Sequence, residues 1–148
     1  MIVKMTPENV LSLVPGYLNR CDPAWFPFKV LPDKLACKLA SFIEADLGVG
    51  WFSLDDAGDP DGMFFGIIME SIFSDDVTAQ ELFWQVLPGS RKRGVGMKLF
   101  RSFVNEAKQR GCTEILSGFQ VTSQNRFLSR LYRGMGYKLV ALGFKKVI

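Results

Sequence analysis

Histidine is missing altogether from the 148 residues. A Ser-His-Asp triad, a Cys-His pair and any His-ligated metal are thereby excluded. Cysteine is scarce: Cys21, Cys37 and Cys112 are odd in number and far apart. That argues against a disulfide framework or a Cys-type zinc site and for a reducing compartment, and no metal is expected. No apolar run reaches the length of a membrane span, and no signal-peptide pattern opens the sequence. A cytoplasmic protein without membrane attachment is the expectation. Acid is nearly absent after Ser90: Arg91 to Ile148 holds 13 Lys/Arg and 2 Asp/Glu, a net +11. Met1 to Ser90 holds 5 Lys/Arg and 13 Asp/Glu, a net −8. Such asymmetry suggests that the C-terminal half meets an anion, either a phosphorylated cofactor or nucleic acid, and that the N-terminal half favours a cation. Chance segregation of surface charge is the plain alternative.

What the chain does have is apolar substance. Hydrophobic residues are 48% and aromatics 13%, enough for one domain over residues 1–148 with a real core. Thr6 or Pro7 opens a helical pattern with Val10, Leu11 and Val14 on one face. "DPAWFPFKVLP" (Asp22 to Pro32) is too rich in proline for a helix or central strand and reads as a loop carrying Trp25, Phe26 and Phe28. Asp33 is expected to cap a second helix bearing Leu35, Leu39, Phe42 and Ile43. "GVGWFSLDD", Met63 to Ser74 and Thr78 to Leu87 read as three strands of an antiparallel meander, with "DDAGDPDG" as a solvated turn. Leu99, Phe100, Phe103, Val104 and Ala107 then repeat at helical spacing until Gly111. "EILSGFQV" returns to strand, Phe127 to Met135 marks a last helix closed by Gly134 and Gly136, and "YKLVALGFKKVI" is a final strand. The third strand, the helix after it and the next strand form a unit whose two strands lie parallel.

Three phosphate and metal motifs fail on their spacing. Gly89 to Gly94 has the glycine spacing of a P-loop, but Val95 and Gly96 stand where its lysine and hydroxyl must be. Gly94-Val95-Gly96 would begin a dinucleotide fingerprint, but Leu99 takes the third glycine position. The acids Asp55, Asp56, Asp59 and Asp61 fit no register of a calcium loop. What survives is a strand, then Arg91-x-x-Gly94-x-Gly96, then a helix. A helix start offers unpaired N–H groups and a positive dipole end, and glycines let the backbone curl around oxygens. That is a cradle for a diphosphate, with Arg91, Lys92 and Arg93 adding charge around it.

"VLPGSRKRGVG" (Val86 to Gly96) resembles the V-x-P-x-x-Q/R-x-x-G-x-G/A segment of the GNAT N-acetyltransferases, the acetyl-CoA-dependent superfamily. "NRFLSRLYRGMGY" (Asn125 to Tyr137) resembles that superfamily's N-x-x-A-x-x-L/F-Y-x-x-x-G-F/Y segment, with Leu128 in place of the usual small residue. The resemblance is specific from about Leu82 to Tyr137 and topological before that. It implies the GNAT acyl-CoA acyltransferase fold: a three-layer α/β (α+β) domain with a mixed, mostly antiparallel sheet and one splayed parallel strand pair. It implies acetyl-CoA as co-substrate. The coenzyme's diphosphate falls on Arg91, Lys92, Arg93, Gly94, Val95, Gly96 and Met97. Its pantetheine arm runs beside Val86 and reaches Asn125, a residue that would equally serve as a helix N-cap.

The same resemblance gives the chemistry. Tyr132 matches the residue that faces the cofactor sulfur and would protonate the leaving thiolate; a helix aromatic packed in the core is the other use of that position. Glu81 and Glu70, on the last two meander strands, are candidates for the base that deprotonates the amine. Gln80 stands where one familiar glutamate of the family would align. Trp25, Phe26 and Phe28 are candidates for an acceptor wall, or for plain packing of the first helices. The reading is an N-acetyltransferase acting on a primary amine of a small molecule or protein, by direct attack in a ternary complex. A non-catalytic acyl-CoA-binding or regulatory domain and a nucleic-acid binder using the basic half are the alternatives. The cofactor's phosphates account for the cations without nucleic acid.

Overall fold

Thr6 starts the first helix by a reciprocal box. Its Oγ1 accepts from the Asn9 N–H at 3.3 Å, and Asn9 Oδ1 accepts from the Thr6 N–H at 2.9 Å. With Pro7 at the first helical position, the box sets α1, Pro7–Asn19. Val10, Val14, Tyr17 and Leu18 are its buried stripe. The second helix, α2, spans Pro32–Glu44 and starts two residues earlier than expected. Pro32 takes its first position, so Leu31 is the cap residue and makes no side-chain bond. Asp33 is not the cap. It lies in the first turn, where a carboxylate still favours the helix dipole.

The computed structural model describes residues 1–26, 29–71, 74–118 and 126–139, without the side chains of Lys92 and of residues 126–128. It forms two compact units, Met1–Ser117 and Gly118–Ile148. The first holds a five-stranded sheet in the order β1-β2-β3-β4-β5. These strands are Ile2–Lys4, Gly48–Leu54, Pro60–Glu70, Val77–Val86 and Glu114–Leu116. β1 to β4 run antiparallel, and β4 pairs β5 in parallel through the helix α3, Val95–Gln109. The α/β, mostly antiparallel architecture with one parallel pair is the expected one.

Three details differ from the reading of the sequence. β1 has only three residues and was not anticipated. β3 starts at Pro60, not Met63, so the turn after β2 is shorter than its acids suggest. Asp55 Oδ1 closes that turn by accepting from the Ala57 and Asp59 N–H groups, both at 3.0 Å. Asp61 is therefore no solvated turn residue. It is a strand residue 4% exposed.

Alternation along the strands loads both faces. Phe52, Met63, Phe65 and Ile67 pack with Val10, Val14, Tyr17, Leu39 and Ala40 of α1 and α2. On the other face Phe64 meets Phe103 at 4.7 Å and Phe100 at 6.1 Å between ring centroids, and Trp84 stacks on Phe100 at 5.2 Å. Each such pair is worth roughly 0.5–1.5 kcal/mol beyond its buried area. The result is three layers, with α1 and α2 against α3 across the sheet.

Glu106 of α3 fastens the short edge strand. It takes Lys4 Nζ at 2.9 Å and Arg110 Nε at 3.0 Å, and Arg110 reaches on to Asp46 at 2.9 Å. Burial pushes the Glu106 carboxyl up, but the Lys4 and Arg110 bonds outweigh it and hold it below its ordinary 4.5. A lowered folded pKa means that the unfolded chain binds the proton more readily. The stabilisation is whole above about pH 4.5 and is lost as the pH falls through the lowered folded value. We expect Glu106→Gln to cost about 1 kcal/mol at neutral pH. Its melting temperature should converge with that of the parent under acid. A difference that persists unchanged in strong acid would place the effect elsewhere.

The second unit contributes α4, Arg126–Gly134. Gly136, at φ +87°, ends it. The Tyr137 N–H bonds the Tyr132 carbonyl and the Gly136 N–H that of Arg133, both at 3.0 Å. That double closure needs a left-handed residue, which is the local reason for glycine in "GMGY". The expected final strand lies, beyond Leu139, outside the described residues, and Tyr137 to Leu139 are not strand. Among the described residues no helix is long and apolar enough to cross a membrane.

Candidate active site

The parallel ladder is short. Thr78, Ala79 and Gln80 pair with Glu114, Ile115 and Leu116, and among the described residues the pairing goes no further. β4 runs on for six more residues to Val86, while Ser117 and Gly118 are no longer strand. At this point β4 is also bulged. Phe65 faces Phe83 but Gly66 faces Glu81, so Leu82 is the extra residue. Glu81 is thus the first β4 residue beyond the paired stretch. Glu70 lies elsewhere. It faces Val77 at the other end of β4, about 30 Å of strand away from Val86. There it lines a groove of about 670 Å³ with Asp46, Leu47, Met69 and Arg110.

Beyond Val86 the chain makes a 3₁₀ turn, Pro88–Arg93, and enters α3 through Gly94. Gly94 sits at φ +71° and ψ 12°, a left-handed conformation that most side chains avoid. Among the described residues, its chain neighbours aside, nothing lies within 4 Å of where its Cβ would be. The first helical bond runs from the Lys98 N–H to the Gly94 carbonyl at 3.2 Å. The N–H groups of Val95, Gly96 and Met97 precede that ladder, and no side chain caps the helix. An open approach, an uncapped helix start and no acid in its first turn suit a diphosphate. Gly96 answers a different need. A Cβ there would come within 3.3 Å of Trp84 Nε1.

The cations divide. Arg93 is exposed. Arg91 is engaged within the protein: its Nε donates to the Val86 carbonyl at 3.0 Å, and its guanidinium carbon stands 5.0 Å over the Trp25 ring. Trp25 and Phe26 are half-buried against the core, and Phe26 stacks on Phe83 at 6.0 Å. Phe26 therefore touches β4 itself, and Trp25 touches the turn that follows it. Tyr132 of α4 is 7% exposed, and its ring lies 5.3 Å from that of Tyr137. Asn125 and Phe28 lie outside the described residues, as does the Lys92 side chain.

Two residues near the loop were not seen for what they are from the sequence: Tyr17 was not singled out, and Asp61 was read as a turn acid. Asp61 is buried, and among the described residues its Oδ1 has no hydrogen-bond partner. Its carbonyl accepts the Leu87 N–H at 2.9 Å, pinning the chain as it leaves β4. Tyr17 donates its hydroxyl to the Gln85 carbonyl at 2.9 Å. Burial, joined by Cys21 and Asp61 and opposed by Arg91, pushes that phenol far above its ordinary value, so it stays a neutral donor. The helical spacing of Tyr17 with Val10 and Val14 was the available signal. Asp61 gave none, because its neighbours in sequence are turn residues.

Comparison with known proteins agrees with this geometry. Residues 19–137 match the model of the Acetyltransferase (GNAT) family. A search of curated protein sequences finds no match. Among solved structures, an aminoglycoside acetyltransferase from an uncultured soil metagenomic sample superposes with a TM-score of 0.74 at 16% identity, covering 100% of this chain and 97% of the other. An acetyltransferase from Trypanosoma brucei gives 0.72 at 12% identity, with 100% and 99% covered. AAC(6')-Iy, solved with the bisubstrate analogue CoA-S-monomethyl-acetylneamine, gives 0.70 at 18% identity, with 100% and 98% covered. At these identities the structures speak for the fold, whereas the family model, matched over most of the sequence, decides the membership: the chain belongs to the Acetyltransferase (GNAT) family.

Proposed function

We infer that the protein is an N-acetyltransferase, residues 1–148 forming one catalytic domain that moves an acetyl group from acetyl-CoA to a primary amine. The observation that carries this is that, among the described residues, the β4–β5 ladder goes no further than Gln80 while β4 continues to an uncapped helix start behind Gly94. The opened strand leaves main-chain groups for an extended arm, and the helix start takes the diphosphate through N–H groups from Arg91 to Met97. Acetyl-CoA supplies the thioester. The amine attacks it directly while both substrates are bound. Glu81, at the bulge where the strands part, is the better placed of the two glutamates to take the ammonium proton, directly or through water. The Tyr132 hydroxyl gives its proton to the departing sulfur. Asn125 holds the pantetheine arm. Trp25 and Phe26 form the acceptor wall, a role the sequence reading gives to Phe28 as well, and aromatic faces suit a cationic amine. The relative named for aminoglycosides makes small polyamines a sensible first class.

The test is an acceptor screen. The protein is incubated with acetyl-CoA and polyamines, aminoglycosides, amino acids and peptides, and both free thiol and acetylated product are measured. The expected result is amine-dependent thiol release matched by acetylated amine. Binding of acetyl-CoA without transfer to any acceptor would point to a non-catalytic acyl-CoA-binding domain instead.

A further inference from the structure

We propose that Arg91 is a positioning residue that fastens the acceptor-side segment Asp22–Phe26 to the exit of β4, rather than a side chain that grips the diphosphate. The segment is built for one posture. Asp22 Oδ1 accepts from the Ala24 N–H at 2.9 Å, starting the turn Pro23–Trp25. The Trp25 and Phe26 N–H groups then bond the Asp22 and Pro23 carbonyls at 3.0 and 3.1 Å. Two side chains attach this turn to β4, three residues apart. Phe26 lies on Phe83 with ring planes 16° from parallel. Trp25 lies under the Arg91 guanidinium, whose Nε is bonded to Val86.

A guanidinium can stack on a ring with its face and donate from its edge at the same moment. An ammonium is a point charge and does one or the other. The arrangement therefore uses the shape of arginine as well as its charge. Its functional consequence rests on the acyltransferase reading. Val86 flanks the expected path of the pantetheine arm, and Trp25 the expected acceptor wall. Arg91 then joins the two, and occupancy of one side is felt on the other in both directions.

The experiment is hydrogen exchange of the whole protein without cofactor, comparing the parent with Arg91→Lys, Arg91→Ala, Trp25→Leu and the Arg91→Ala/Trp25→Leu pair. Arg91→Lys keeps the charge that a diphosphate grip needs but loses the double contact. The amides of Trp25 and Phe26 should exchange roughly tenfold faster in Arg91→Lys, the loss expected for one charged hydrogen bond and one cation–π contact. The pair should exchange no faster there than Arg91→Ala alone, because both changes break the same fastening. Parent-like exchange at these amides in Arg91→Lys would overturn the proposal. So would additive effects in the pair, or a rise spread evenly over β2 and β3. No ligand enters this measurement, so a failure of acetyl-CoA to bind would sink the acyltransferase reading and leave the fastening standing.

Discussion

Gly94→Val is expected to weaken acetyl-CoA binding about a hundredfold, the cost of about two charge-assisted hydrogen bonds or of holding a branched residue in the left-handed region. The residue sits at φ +71° immediately before the helix whose first N–H groups are uncapped. Valine escapes the strain only by moving φ to negative values, and that swings the Val95, Gly96 and Met97 N–H groups out of convergence. The fold should persist, because among the described residues, its chain neighbours aside, no atom lies within 4 Å of the new Cβ. Calorimetry on folded protein reads the loss. Gly94→Asn is the control, since asparagine tolerates the left-handed region and should retain most of the affinity. Gly96→Val acts differently, by pressing on the Trp84 indole at 3.3 Å, and should disturb the helix–sheet contact as well. If Gly94→Val binds like the parent, the loop is not the cradle.

Tyr132→Phe is expected to lower turnover by roughly 10²–10⁴ while sparing acetyl-CoA affinity and stability, the range typical of a lost general acid. The ring is what packs: Tyr132 is 7% exposed and its ring meets Tyr137 at 5.3 Å. Phenylalanine preserves that packing and removes only the hydroxyl. The measurement is kcat on an acceptor found in the screen, under conditions where chemistry limits the rate. Parent-like kcat would return the residue to a packing role.

The two motifs were legible because each has a backbone cause that leaves a mark in residue type. Gly94 and Gly136 both stand at positive φ, and both were visible as glycines beside helical periodicity. The meander and α3 announced themselves by changes of period, from alternation to the spacing of Leu99, Phe103 and Ala107. Short elements did not. β1 has three residues and no room for a pattern, and it is held as an edge by Lys4 on Glu106 and by the ladder to Trp51, Phe52 and Ser53. Pro60 and Asp61 read as turn because proline and aspartate usually are, yet the strand begins there.

The side chains around the site were the least legible part. Arg91, Lys92 and Arg93 are equivalent as charges in a sequence, and only a tertiary partner tells them apart. Arg91 and Arg93 are both exposed, and it is the Trp25 ring and the Val86 carbonyl that claim Arg91. Glu81 and Glu70 are likewise equal as strand carboxylates until the ladder among the described residues is seen to go no further than Gln80. Tyr17 was missed because it lies in no motif, and Asp61 was misread as an acid of a solvated turn. Their places under the end of β4 follow from packing alone.

The most direct measurement is a calorimetric titration of the folded protein with acetyl-CoA. The account predicts saturable binding at one site per chain. It should raise the melting temperature by the equivalent of about 2.7 kcal/mol at a hundred times the dissociation constant. It should weaken with added salt and collapse in Gly94→Val. No heat and no stabilisation at saturating acetyl-CoA in the parent protein would contradict it.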